Sequence, residues 1–67
     1  MSVAKVIELS ATSEKSFEDA IRQGVSRAAK TVENIRSAWI KEQRVDVENG
    51  QIKKYQVNMQ VTFLLNE

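Results

Sequence analysis

The chain opens on a period of two. Val3 to Leu9 is rich in Val, Ile and Leu, with Val3, Lys5, Ile7 and Leu9 alternating against Ala4, Val6 and Glu8, which predicts a short strand. Ser10-Ala11-Thr12-Ser13-Glu14 reads as a connecting loop. The period then changes. Phe17, Ala20, Ile21, Gly24, Val25, Ala28 and Val32 recur at spacings of three and four, one apolar stripe of a helix about 16 residues long. Ser16 followed by Asp19 fits a capping box, and Glu18, Asp19, Arg27 and Lys30 are distributed as the helix dipole favours. Gly24 inside the stripe costs roughly 1 kcal/mol relative to Ala, a loss that close approach of the helix to a sheet would explain.

After Asn34 the period returns to two. Ile35 to Val47 is one long strand, Glu48-Asn49-Gly50-Gln51 a turn, and Ile52 to Leu65 a second long strand. Asn-Gly between alternating segments is the strongest short hairpin signal. In the last strand Tyr55, Val57, Met59, Val61, Phe63 and Leu65 alternate with Gln56, Asn58, Gln60 and Thr62. The order is β-α-β-β, an α+β unit.

Lengths then matter. A helix of about 16 residues spans roughly 24 Å, whereas a strand of about 13 residues spans roughly 43 Å. One helix cannot cover such a hairpin, and the far end would leave apolar side chains and a long unpaired edge that natural monomers avoid. Unless the strands are shorter than their pattern or the hairpin bends sharply, copies of the chain meet through their sheets.

With a two-residue turn at Asn49-Gly50, Ala38 faces Val61 and Ile40 faces Met59 on the helix-covered side. On the other side Ser37 faces Thr62, Trp39 faces Gln60, Lys41 faces Asn58 and Gln43 faces Gln56, a register that a single bulge would shift. Trp39, the one Trp of the chain, thus stands among amides and hydroxyls. An aromatic ring for stacking beside groups that read donors and acceptors suits a planar, hydrogen-bonding ligand. The same ring also suits a subunit interface, and both hold if the ligand lies between subunits.

Composition narrows the chemistry. The 67 residues contain no Cys, Pro or His, so disulfides, thiolate metal sites and the commonest general base are missing. A core this small usually needs help, which leaves oligomerisation. Lys plus Arg is 10 and Asp plus Glu is 9, too balanced for a nucleic-acid stripe. The polar helix face, with Lys15, Arg22, Gln23, Ser26 and Arg27, reads as a solvated surface, not a membrane-lying one. No apolar run approaches a membrane span and the N-terminus lacks a signal-peptide core, so a cytoplasmic protein is expected. No Ser/His or Cys/His pair and no glycine-rich phosphate loop appears, so an enzyme is not expected. Asp46-Val47-Glu48-Asn49-Gly50 gathers oxygen ligands that can attract Ca²⁺ weakly, without the EF-hand spacing.

The chain resembles the dodecins through Lys5-Val6-Ile7-Glu8-Leu9, Thr12-Ser13-Glu14-Lys15-Ser16-Phe17-Glu18-Asp19-Ala20-Ile21, Ser26-Arg27-Ala28-Ala29-Lys30-Thr31, Tyr55-Gln56-Val57, and Val61-Thr62-Phe63 followed by Leu65. The likeness runs over nearly the whole chain and implies one domain over 1–67. It further implies a three-stranded antiparallel sheet wrapped on one helix, assembled as a hollow homododecamer. The resemblance implies non-enzymatic binding and storage of flavin, riboflavin or FMN. In that family the isoalloxazine stacks on a Trp near the start of the second strand, and a Gln of the third strand, matching Gln56, hydrogen-bonds the ring. An Arg that meets phosphorylated ligands matches Arg44. The family's stacking Trp position is Ser37 here, and the Trp stands two residues later, at Trp39, on the same face of the strand. A branch of the family without that Trp is associated with Ca²⁺ in place of flavin, so a flavin-free structural or calcium-binding assembly is the alternative.

Overall fold

The computed structural model describes residues 2–65. The elements follow in the order β1 (Ala4–Ser13), α1 (Phe17–Ala29), β2 (Ile35–Glu48) and β3 (Gln51–Leu64). They form one three-stranded sheet in the order β1-β3-β2, antiparallel at both junctions. The last strand is therefore the central one, and α1 carries the chain from one sheet edge to the other across a single face.

Two boundaries differ from the sequence expectation by more than one residue. β1 runs on to Ser13 instead of ending at Leu9. The segment expected as a loop continues the alternation, with Leu9 and Ala11 turned to the core while Ser10 and Thr12 stay exposed. The helix ends at Ala29, short of Val32. There the chain tightens, with Lys30 N–H donating to the Arg27 carbonyl at 3.2 Å and Thr31 N–H to that of Ala28 at 3.1 Å, the i to i+3 closure usual at a helix end.

The N-terminal cap forms as expected. The Ser16 hydroxyl accepts from Asp19 N–H at 3.0 Å. The Asp19 carboxylate turns away from the cap, accepting from Ser13 Oγ and from Gln23 Nε2, both at 2.6 Å. It thereby ties the end of β1 to the first turns of α1. The Ser13 hydroxyl holds the carboxyl below its ordinary value, as hydrogen bonding to the charged form does.

Ala20, Val57, Met59 and Val61 are completely buried, and Ile7, Leu9, Ala11, Phe17, Ile21, Val25, Ile35 and Ile40 pack around them. Gly24 lies where the helix comes closest to the sheet. A Cβ there would run into the Met59 methyl and approach Ala11 Cβ to 3.2 Å and Leu9 Cδ1 to 3.3 Å, so the missing side chain is what lets α1 settle on β1 and β3. At the helix N-terminus the Phe17 and Tyr55 rings meet edge-on, centroids 5.1 Å apart. Beyond Tyr55 the hairpin runs on without the helix.

Asn49 and Gly50 both adopt positive φ, 53° and 74°, the conformation of a two-residue type I′ hairpin turn. Between turn and root the β2–β3 ladder slips three times. Arg36 and Lys41 on β2 and Lys53 on β3 are the residues passed over. The protomer extends over 52 × 19 × 13 Å.

Candidate functional site

The face of the sheet away from α1 is a grid of side chains in register. Val6, Thr62 and Ser37 make one row across the three strands, Glu8, Gln60 and Trp39 the next, then Ser10, Asn58 and Glu42, then Thr12, Gln56 and Arg44. Successive rows are two residues, roughly 7 Å, apart. Ser37, Trp39 and Gln56 therefore share one face, as the alternation predicts, and the bulge at Lys41 brings Arg44 onto it.

The expected partners change halfway along. Ser37–Thr62, Ala38–Val61, Trp39–Gln60 and Ile40–Met59 pair as the two-residue turn requires. Lys41–Asn58 and Gln43–Gln56 do not form, because the bulge at Lys41 shifts the register and puts Glu42 opposite Asn58 and Arg44 opposite Gln56. Gln43 falls opposite Val57 instead. Arg44 and Gln56 are thus direct cross-strand neighbours. Trp39 and Ser37 stand two and three rows away, so within one protomer Trp39 and Gln56 lie roughly 13 Å apart along the strands.

Trp39 is 46% exposed, a large aromatic surface with no ring partner among the described residues. Beside it Lys41 Nζ crosses to Glu8 Oε2 at 3.0 Å, and the carboxylate raises the Lys41 pKa. Both side chains are about half in solvent, so the pair adds little stability. Further down, Gln56 Nε2 donates to Ser10 Oγ at 2.9 Å and to Asn58 Oδ1 at 3.3 Å. Asn58 Nδ2 donates to Glu42 Oε1 at 3.0 Å. Arg44 reaches Asp46 Oδ1 at 3.3 Å. Glu42, Gln43, Arg44, Gln56 and Asn58 border a shallow cleft of 170 Å³.

This arrangement can stack a planar ring on Trp39, offer hydrogen bonds to its edge, and present a cation at Arg44. Both halves are open, and the protomer supplies only one wall for a ligand. Sequence reasoning missed Glu42 and Ser10 as members of this grid, and placed Asn58 on it with Lys41 in place of Glu42 as its partner. Ser10 was masked by the loop reading, although the alternation Glu8, Ser10, Thr12 signals its place. Glu42 is hidden by the bulge, which no local residue preference announces. Among the described residues no group of three or more His, Cys, Asp or Glu side chains is placed to hold a metal ion. At the turn the acidic run is drawn apart, with Asp46 paired to Lys54 and Glu48 to Gln51. No helix among the described residues is long and apolar enough to cross a membrane.

The family model named Dodecin matches residues 3–66. A dodecin of Thermus thermophilus is 38% identical over 65 residues, covering 97% of this chain and 94% of its own length. A calcium dodecin of Mycobacterium tuberculosis is 38% identical over 63 residues, covering 94% and 89%. Among solved structures, the Thermus thermophilus protein tt0972 superposes with a TM-score of 0.94 at 37% identity, over 100% of this chain and 98% of its own. The Mycobacterium tuberculosis calcium dodecin, a calcium-chelating antigen solved with a calcium-binding site, gives 0.82 at 37% identity, over 96% and 91%.

Proposed function

This chain belongs to the dodecin family, and on that premise we propose that it is a non-enzymatic flavin-binding protein, a homododecameric shell that stores or sequesters riboflavin or FMN. The observation that carries the reading is Trp39, half exposed on the hydrogen-bonding face of the sheet. A bare indole on such a face gives an isoalloxazine a stacking surface. Residues 1–67 act in it as a single domain. Trp39 stacks the ring, Gln56 hydrogen-bonds its edge, and Arg44, directly opposite Gln56, meets the phosphate when the ligand is FMN. Ser37, in the place the family gives its stacking Trp, leaves room that the ring at Trp39 fills from one row further along. Bound between copies of the chain, the flavin gains the second wall that one protomer lacks.

The test is a titration with riboflavin and with FMN followed by Trp39 fluorescence. Quenching that saturates, and its loss in Trp39→Ala read by flavin absorbance, is expected. A colourless purified protein whose Trp39 emission ignores both flavins overturns the reading. A second reading, a calcium-associated shell, is favoured by the 38% identity to a calcium dodecin together with Ser37. It predicts a melting temperature raised by Ca²⁺ and indifferent to Trp39→Ala.

A further inference from the structure

Four side chains on the open face form a line of hydrogen bonds with a definite direction. Asn58 Nδ2 donates to Glu42 Oε1 at 3.0 Å. Asn58 Oδ1 accepts from Gln56 Nε2 at 3.3 Å, and that nitrogen donates also to Ser10 Oγ at 2.9 Å. A side-chain amide is nearly symmetric in shape, so by itself it fits either way round. An ionised carboxylate is not symmetric in this sense, because it only accepts. Glu42 therefore admits only the nitrogen of Asn58. The Asn58 oxygen must then face Gln56, and Gln56 must answer with its nitrogen.

The basic residues nearest Glu42 do not interrupt the line, since Lys41 bonds to Glu8 and Arg44 to Asp46. The Ser10 hydroxyl both donates and accepts, so it follows the direction without setting it. Both hydrogens of Gln56 Nε2 are thereby spent inside the protein. Its oxygen, Oε1, has no hydrogen-bond partner among the described residues.

We propose that Glu42, acting through Asn58, fixes the Gln56 amide with its oxygen as the group offered to the ligand, so that the site selects a ring edge bearing an N–H donor. This rests on the flavin reading and deepens it. The pyrimidine part of a flavin carries one imide N–H between two carbonyls, and Gln56 in this orientation reads that hydrogen and offers nothing to the flanking carbonyls. Glu42 and Asn58 are positioning residues. Neither needs to touch the ring. A ligand whose imide nitrogen is alkylated leaves Oε1 facing a methyl group, an unpaired acceptor of the kind that lets a polar site reject an analogue strongly.

The experiment compares lumiflavin with its N3-methyl derivative by Trp39 quenching, in the wild type, Glu42→Gln and Asn58→Leu. The wild type is expected to prefer lumiflavin at least about tenfold. In both variants Gln56 is free to turn over, and the preference is expected to fall to within about threefold, chiefly because the methylated ligand is no longer penalised. Side-chain amide resonances of Gln56, dispersed in the wild type, should collapse toward solvent-averaged positions in both variants without any flavin. If lumiflavin binds and the preference is the same in all three proteins, as steric exclusion alone would give, the proposal is overturned and the flavin reading stands. If lumiflavin fails to quench Trp39 in the wild type, the flavin reading falls and the proposal falls with it.

Discussion

At the root of the β2–β3 hairpin Val57, Met59 and Val61 lie completely buried under α1, whereas at its tip Val47 and Ile52, paired on the same face, are 61% and 51% exposed. The bulges at Lys41 and Lys53 bring Val47 and Ile52 onto that face. What differs is the cover. α1 has 13 residues, about 20 Å, against strands of 14 residues, about 46 Å. Hydrophobic patterning thus fixes which face of a sheet is apolar, while helix length fixes how much of that face the chain buries by itself. The remainder stays uncovered in the single chain.

The sharpest way to break this contrast is at the root. Met59→Ala removes a fully buried side chain at the point where helix and sheet meet, and a loss of about 2–5 kcal/mol is expected in chemical unfolding. Gly24→Ala tests the same spot from the helix side. The roughly 1 kcal/mol that Ala gains in helix propensity is set against displacement of the buried Met59 methyl and crowding of Ala11 and Leu9. Overpacking of this kind costs typically 1–3 kcal/mol, so a net loss of about 1 kcal/mol is expected, and a gain would mean that the close approach is softer than its geometry.

At the tip the expected result is different in kind. Val47→Asp with Ile52→Asp should leave the circular dichroism of the fold intact and cost a protomer no more than about 0.5 kcal/mol, as exposed sites do. Light scattering should show a smaller assembly. An unchanged mass would say that the tip is not where copies meet. The smallest effect is electrostatic. The Asp19 carboxyl is held below its ordinary value by Ser13, so its contribution is full above about pH 4 and fades as pH falls through the lowered value. Asp19→Asn should be less stable than wild type at pH 7 and indistinguishable from it in strong acid. Lys41 runs the opposite way. Its raised pKa gives a contribution that is full below about pH 10.4 and fades only above it, so Lys41→Met should differ from wild type at pH 7 and converge in strong alkali.

Much of this was legible from residue order. Ser16 as cap, Asn49-Gly50 as turn, Gly24 as the close approach, and the burial of alternate β3 residues all follow from local chemistry that acts within a few positions. The faces of Ser37 and Trp39 followed too, because the ladder is regular from Ser37 to Ile40. What stayed hidden lies past Lys41. A bulge is decided by how a whole strand twists against its neighbours, and Lys41 carries no signal of it. Every residue beyond it changes face relative to a regular count, which is why Glu42 and Arg44, not Lys41 and Gln43, stand against the amides of β3. The end of β1 was missed for a related reason. Ser10 to Ser13 is polar enough for a loop, and only pairing with Tyr55 to Asn58 of the central strand holds it extended.

The three residues that the β2–β3 ladder passes over, Arg36, Lys41 and Lys53, are all cations. Two of them sit on β2, which forms an open edge of the sheet and is the kind of surface on which foreign strands grow into fibrils. On β2 itself the interruptions at Arg36 and Lys41 leave regular tracts of four residues, Ser37 to Ile40, and seven, Glu42 to Glu48. A stranger's backbone pairing along the whole of β2 would meet a kink and a positive charge at Lys41 and again at Arg36. The same irregularities that set which side chains share the open face therefore also blunt this edge as a template for aggregation.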